Sequence, residues 1–175
     1  MNEYDFTLKF NLEDSQADPD DFIEKLYAGG CNDALIGVGN KGYVALNFIR
    51  EASSAYEAIS SAINDVKRVV PAATLIEASP DLVGLTDAAK ILGYTQQNIR
   101  NLIIKSDSKS PIPVYEGTDS IWHLAEILIW LREAQTYSID DALLDIAQTN
   151  MNINIAMSWQ KIAPDTQESM KALAV

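Results

Sequence analysis

The tightest constraint in the chain lies in residues 85–103, LTDAAKILGYTQQNIRNLI. Two short helical stretches meet there, and the residues at the joint are those a close helix crossing demands. Ala89 is small enough to let two helices approach. Gly93 follows four positions later, where the chain must turn with φ > 0, a conformation open to glycine without steric cost. Ala88, Leu92, Tyr94, Ile99 and Leu102 are the apolar positions expected to be buried and to lock the crossing angle. Thr86 and Asp87 are placed to start the first helix, and Thr95 to cap the second. A helix-turn-helix accounts for every one of these residues. The plainer alternative is a helical hairpin that matches the pattern by chance.

The second helix has a distinctive outer surface. Ile99, Leu102 and Ile103 turn inward, which leaves Gln96, Gln97, Arg100 and Asn101 outside. Gln and Asn can pair bidentately with adenine, and Arg with guanine, in the major groove of DNA. No acid occurs from 95 to 106. Lys90, Lys105 and Lys109 are candidates for flanking phosphates, contacts that fix register without reading sequence. Thr95, Gln96, Gln97, Arg100, Asn101, Lys90, Lys105 and Lys109 are therefore the candidate DNA-binding set.

Upstream, residues 1–80 alternate between strand and helix patterns. Tyr4, Phe6, Leu8 and Phe10 fall on one face of a period-two segment over 4–12, a half-buried strand. Asp18 and Pro19 open a short helix that Gly29 and Gly30 end. Residues 33–38 and 42–49 flank the Gly39-Asn40-Lys41-Gly42 turn of a hairpin. Ser53-Ser54-Ala55 starts a second helix carrying Tyr56, Ile59, Ile63, Val66 and Val70, and a last strand covers 73–78. The order βαββαβ predicts a ferredoxin-like α+β domain. It is followed by a winged helix-turn-helix unit over 83–133 and a C-terminal helical extension over 134–175. In that extension one helix runs from Ser138 to about Gln148, and a second is expected over 151–162. Pro164 should interrupt the chain before a short amphipathic or frayed end.

After the helix-turn-helix come PIPVYEGTDSIW (111–122), which reads as a short hairpin, and HLAEILIWLREA, a helix with Leu124, Ile127, Leu128 and Leu131 as its stripe. Together, residues 83–132 resemble the MerR/excisionase-like winged-helix family. The resemblance implies that the hairpin is a wing lying along the phosphate backbone, with Lys109, Tyr115 and Thr118 as wing candidates. Glu116 and Asp119 depart from a typical basic wing. Residues 1–132 as a whole look like a family of bacterial proteins that join a small N-terminal domain to such a winged helix. The likeness is carried by AGGCNDALIG (28–37), REASSAYEAISSAINDVKR (50–68) and LVGLTDAAKILGYTQQNIRNLI (82–103). That resemblance implies a DNA-binding regulator and supplies no ligand or operator.

The net charge stands against this reading. The chain carries 25 acids and 13 bases, a formal −12, which excludes a protein that coats nucleic acid or anionic membrane through bulk positive charge. Most of the excess is local: residues 1–82 hold 14 acids and 6 bases, whereas 83–133 hold 6 and 5. The rest of the inventory is spare. Cys31 stands alone, so no internal disulfide or multi-thiolate zinc site is expected, and it reads as a structural thiol. The one histidine, His123, reads as a capping or packing residue at a helix start. The acids Asp18, Asp20 and Asp21 suit a helix N-terminus. Gly37–Gly42 lacks the spacing of a phosphate loop. No secretory leader is visible at the start, and no apolar run is long enough to span a membrane.

The expectation is a non-enzymatic protein without a cofactor or metal, cytoplasmic and nucleoid-associated. Its partner is double-stranded DNA, and it acts as a homodimer reading two half-sites. The alternative is an antitoxin-like or phage- or defence-associated module. Its acidic N-terminal domain or C-terminal helices would then mask a protein partner.

Overall fold

Alternating burial along the first strand organises the N-terminal half. In the computed structural model, which describes residues 1–14, 18–38, 41–105, 110–134 and 137–173, β1 (Asn2–Asn11) turns Tyr4, Phe6, Leu8 and Phe10 inward. Asp5 and Lys9 face out. β1 is the centre of a four-stranded sheet with β2 (Ala34–Val38), β3 (Tyr43–Ala52) and β4 (Thr74–Ser79), in the order β2-β3-β1-β4. Every neighbour is antiparallel. The register sets Phe6 opposite Phe48, and their rings stack at 5.3 Å between centroids. The turn residues 39 and 40 lie outside the described residues.

Two helices follow the punctuation of the sequence. The Asp18 carboxylate accepts from Asp20 N–H at 3.1 Å and caps a 3-10 turn, Pro19–Phe22, that leads into α1 (Ile23–Ala28). α2 (Ala55–Val69) is capped by Ser54, whose Oγ accepts from Glu57 N–H at 3.2 Å. The Glu57 carboxylate in turn takes the Ser53 N–H and hydroxyl, which hold its pKa below the usual carboxylate value. α2 buries Ala58, Ile59, Ala62 and Val66 against the sheet. Its small residues let the helix axis sit close, so the large rings of β1 and β3 fill the core.

The remaining elements are mostly helical: β5 (Leu82–Val83), α3 (Leu85–Leu92), α4 (Gln96–Lys105), β6 (Trp122–His123), α5 (Leu124–Glu133), α6 (Asp141–Gln160) and α7 (Pro164–Leu173). The described chain is thus an α+β protein, 51% helical and 23% strand. No described helix is long and apolar enough to cross a membrane.

The two helices expected over 138–148 and 151–162 are one continuous helix, α6. The chain does not break between 148 and 151. In the fold, the amides of Asn150 and Asn154 are used by backbone outside the helix. Asn150 Nδ2 donates to Pro80 C=O at 3.1 Å. Asn154 accepts from Ala78 N–H at 3.0 Å and donates to Ala78 C=O at 2.7 Å. Asp145, on an earlier turn, accepts from Tyr4 Oη at 3.0 Å and from Ala55 N–H at the start of α2 at 2.8 Å. These contacts, rather than helix propensity, keep the helix whole. α6 also supplies Ile146 to the core under the sheet, and Leu144 and Ala147 to the core built on α5.

Candidate nucleic-acid interface

The angle between α3 and α4 is set at Gly93. Its backbone is left-handed, φ 70° and ψ 25°, and Tyr94 N–H closes the end of α3 on Ala89 C=O at 2.8 Å. A Cβ at Gly93 would meet nothing within 4 Å, so the backbone angle, not space, calls for glycine there. Ala88, Ala89 and Ile99 are buried at the crossing, and Leu92 and Leu102 are half-buried. Tyr94 departs from expectation. It is 36% exposed and meets the edge of Tyr137 at 5.0 Å, because the turn directs it past the crossing toward the segment before α6. The start of α3 also differs: Gly84 is its N-cap, two residues ahead of the expected Thr86.

Thr95 does cap α4, its Oγ1 accepting from Asn98 N–H at 3.2 Å. Beyond it Gln96, Gln97, Arg100 and Asn101 are all exposed, and the first turn of α4 holds no acid. Gln97 Nε2 donates to Asn101 Oδ1 at 2.8 Å. That bond ties the two exposed amides together and does not use Gln97 Oε1 or Asn101 Nδ2. Arg100 has no ion pair or side-chain hydrogen bond among the described residues. Gln96 and Arg100 also line a groove of about 370 Å³ whose other wall holds Thr86, Asp87, Thr118 and Ser120. That wall comes from the start of α3 and from the loop of the 111–122 segment.

The segment 111–122 is held rather than merely looped. Tyr115 and Ile121 form a single antiparallel bridge, with Ile121 N–H on Tyr115 C=O at 2.9 Å. Trp122 Nε1 donates to Pro111 C=O at 3.0 Å, and Trp122 and His123 pair as β6 with β5. Tyr115 and Thr118 are exposed. Asp87 and Asp119 line the same groove, so it is polar rather than basic.

The structure gathers the candidate set unevenly. Gln96 and Arg100 share the groove, and Gln97 and Asn101 continue the same exposed surface. Lys90 is exposed on α3 but lines a different cleft, facing Asp5 and Asn47 of the sheet. Lys105 ends α4 with its side chain outside the described residues, and Lys109 is outside them altogether. Thr86 and Ser120 were not among the candidates. Their signal was only positional, a hydroxyl at a helix start and one beside a turn.

His123 takes the N-cap position of α5, as expected, but its ring makes no capping bond. Its Nδ1 instead lies 2.6 Å from Oδ1 of Asp81, which is only 3% exposed. Asp81 Oδ2 accepts from Asn154 at 2.7 Å, and the Asp81 backbone C=O accepts from Leu124 N–H at 2.7 Å. This buried network joins the exit of the sheet to β6 and α6. It does not assemble a metal site: no group of three or more ligating side chains occurs among the described residues. Cys31 is buried, and burial followed by the nearby Asp65 pushes its thiol up to about 11.

No protein-family model matches the chain, nor does any curated protein or solved structure. The side chains themselves carry the functional reading.

Proposed function

We propose that the protein is a sequence-specific DNA-binding regulator that reads the major groove with α4. The observation that carries this reading is the outer surface of α4. Four side chains of types that can read bases stand exposed on one helix, one of them an arginine with no ion pair or side-chain hydrogen bond among the described residues, and no acid interrupts them. The groove between α4 and the Thr118–Ser120 loop supports a winged helix of the MerR/excisionase-like kind. In the N-terminal unit, the strand order β4-β1-β3-β2 with α2 packed on the sheet supports a ferredoxin-like arrangement. With so few cations, non-specific affinity is weak, so recognition leans on base contacts and on a dimer spanning two half-sites.

The test is selection from a randomised DNA library by the full chain at stated salt, followed by titration of the selected site. Arg100→Ala is expected to weaken that site by about 1–3 kcal/mol while leaving unrelated DNA unchanged. Lys90→Ala, if that side chain reaches phosphate, weakens every sequence alike. Unchanged binding of all DNA by Gln97→Ala/Arg100→Ala overturns α4 as the reader.

The second reading is the antitoxin-like or defence-associated module. It is favoured by the open face of the sheet, where Glu3, Asp5, Glu51 and Glu77 stand exposed. A chain that enriches no DNA at low salt leaves a basic protein partner as the better account.

A further inference from the structure

The two edges of the sheet are finished differently. Along β4, Glu77 supplies a charge, the pairing with β1 slips between Lys9 and Phe10, and Pro80 follows the strand. Asn154 of α6 occupies the outward N–H and C=O of Ala78, as a neighbouring strand would. Charge, irregularity and a covering element are the usual means of closing a sheet edge.

Among the described residues β2 has none of these. Its residues Ala34-Leu35-Ile36-Gly37-Val38 include no charge and no proline, and β3 is its one strand neighbour there. The phase of its backbone follows from a single bond, Ile49 N–H to Asp33 C=O at 3.1 Å. Hydrogen-bonded positions recur at every second residue of an antiparallel ladder. Asp33, Leu35 and Gly37 therefore bond toward β3, and Ala34 and Ile36 direct their backbone groups outward. Cys31 C=O takes the Ala34 N–H at 3.2 Å. The N–H and C=O of Ile36 are left open among the described residues.

We propose that β2 pairs antiparallel with β2 of a second copy of this chain, about a two-fold axis at Ile36, joining two sheets into one. Three features select a second copy. An uncharged strand is the part of this acidic unit where self-approach meets least repulsion. Pairing about Ile36 sets Leu35, 73% exposed, opposite the partner's Gly37, whose missing side chain leaves room for it. Asp33, whose carboxylate Arg50 already holds, and Lys41 flank opposite ends of the strand, so the antiparallel arrangement sets no two like charges against each other there. Ile49, 52% exposed on the same face, extends the apolar contact. A strand edge and these side chains bury less than a standard interface, so the dimer is weak and concentration-dependent. The proposal stands without the DNA-binding reading and would supply the two-fold symmetry that reading calls for.

Sedimentation equilibrium of the full chain over a wide concentration range tests it, with amide exchange followed residue by residue. The wild type is expected to pass from monomer to dimer, with Ile36 N–H gaining protection as concentration rises. Leu35→Lys, at an exposed position, should weaken association at least tenfold and remove that protection. Gly37→Val should do the same. In the monomer its Cβ meets Ala45 only at ordinary contact distances of 3.5 and 3.9 Å, so the fold tolerates it. A chain that stays monomeric throughout overturns the proposal. So does a dimer that leaves Ile36 exchange unchanged and survives both substitutions.

Discussion

Two arginines show how differently the halves of this molecule use charge. Arg50, on β3, has a side chain 11% exposed and makes five hydrogen bonds. Its guanidinium forks onto Asp33 at 2.6 and 2.9 Å, reaches Asp65 and Ser61 at 3.0 Å each, and meets Gly30 C=O at 3.1 Å. Burial opposes its charge, and Asp33 and then Asp65 outweigh burial, so its pKa lies above the ordinary value. Arg100, on α4, is exposed and makes no such contact. In the sheet unit the fold consumes the cation; on α4 it is left for something else. Net charge therefore says little about the surface of α4, because 14 of the 25 acids lie in residues 1–82, away from it.

The contrast breaks first at Arg50. Arg50→Ala leaves Asp33 and Asp65 partly buried without their counter-charge, and should cost about 3–5 kcal/mol of folding stability in urea denaturation. Arg50→Lys should recover only part of this, since an ammonium cannot fork onto a carboxylate. A loss below about 1 kcal/mol would show that the cage is ornamental and the two arginines alike. Next in size is the joint between the halves. Asn154→Ala strands both backbone groups of Ala78 and one oxygen of buried Asp81, and should cost about 2–3 kcal/mol. If the cost is that of an exposed helix residue, α6 does not fasten the sheet.

How far the sequence could be read follows the same division. Tyr4, Phe6, Leu8 and Phe10 alternate because one face of the sheet is buried, so the strand shows in the residues themselves. Gly93 is legible because few other residues adopt its backbone angle, and Ser53-Ser54 because capping is local chemistry. The exposed set on α4 follows from helical period alone. The network at Asp81 was beyond reach, since its members are separated by 42 and 73 positions and no local pattern links them. The unbroken course of α6 was missed for the same reason: the bonds of Asn150 to Pro80 and of Asn154 to Ala78 link positions 70 and 76 apart. Tyr94 was misplaced because the pattern could not foresee Tyr137 beside it.

A pH experiment sharpens the contrast at a smaller scale. The Cys31 thiol titrates near 9 when free and at about 11 in the fold, chiefly through burial. A raised folded pKa means that stability is complete below the unfolded value and is lost as pH rises through the folded one. Between pH 8 and pH 10 the wild type should therefore lose about 1–2 kcal/mol more than Cys31→Ala. Tyr4, whose pKa burial also raises, is present in both proteins and cancels in the difference. Equal losses would mean that water reaches Cys31 and that the sheet core is looser than its packing.

The smallest expected effect on folding is the most telling. Arg100→Ala removes an exposed side chain with no partner among the described residues, so its stability in urea should match the wild type to within about 0.5 kcal/mol. Gln97→Ala breaks one exposed bond to Asn101 and should fall in the same range. Stability unchanged together with a lost DNA site would place the whole cost of Arg100→Ala on binding. A destabilised Arg100→Ala would instead make Arg100 a structural residue like Arg50, and the division between the two halves would fail.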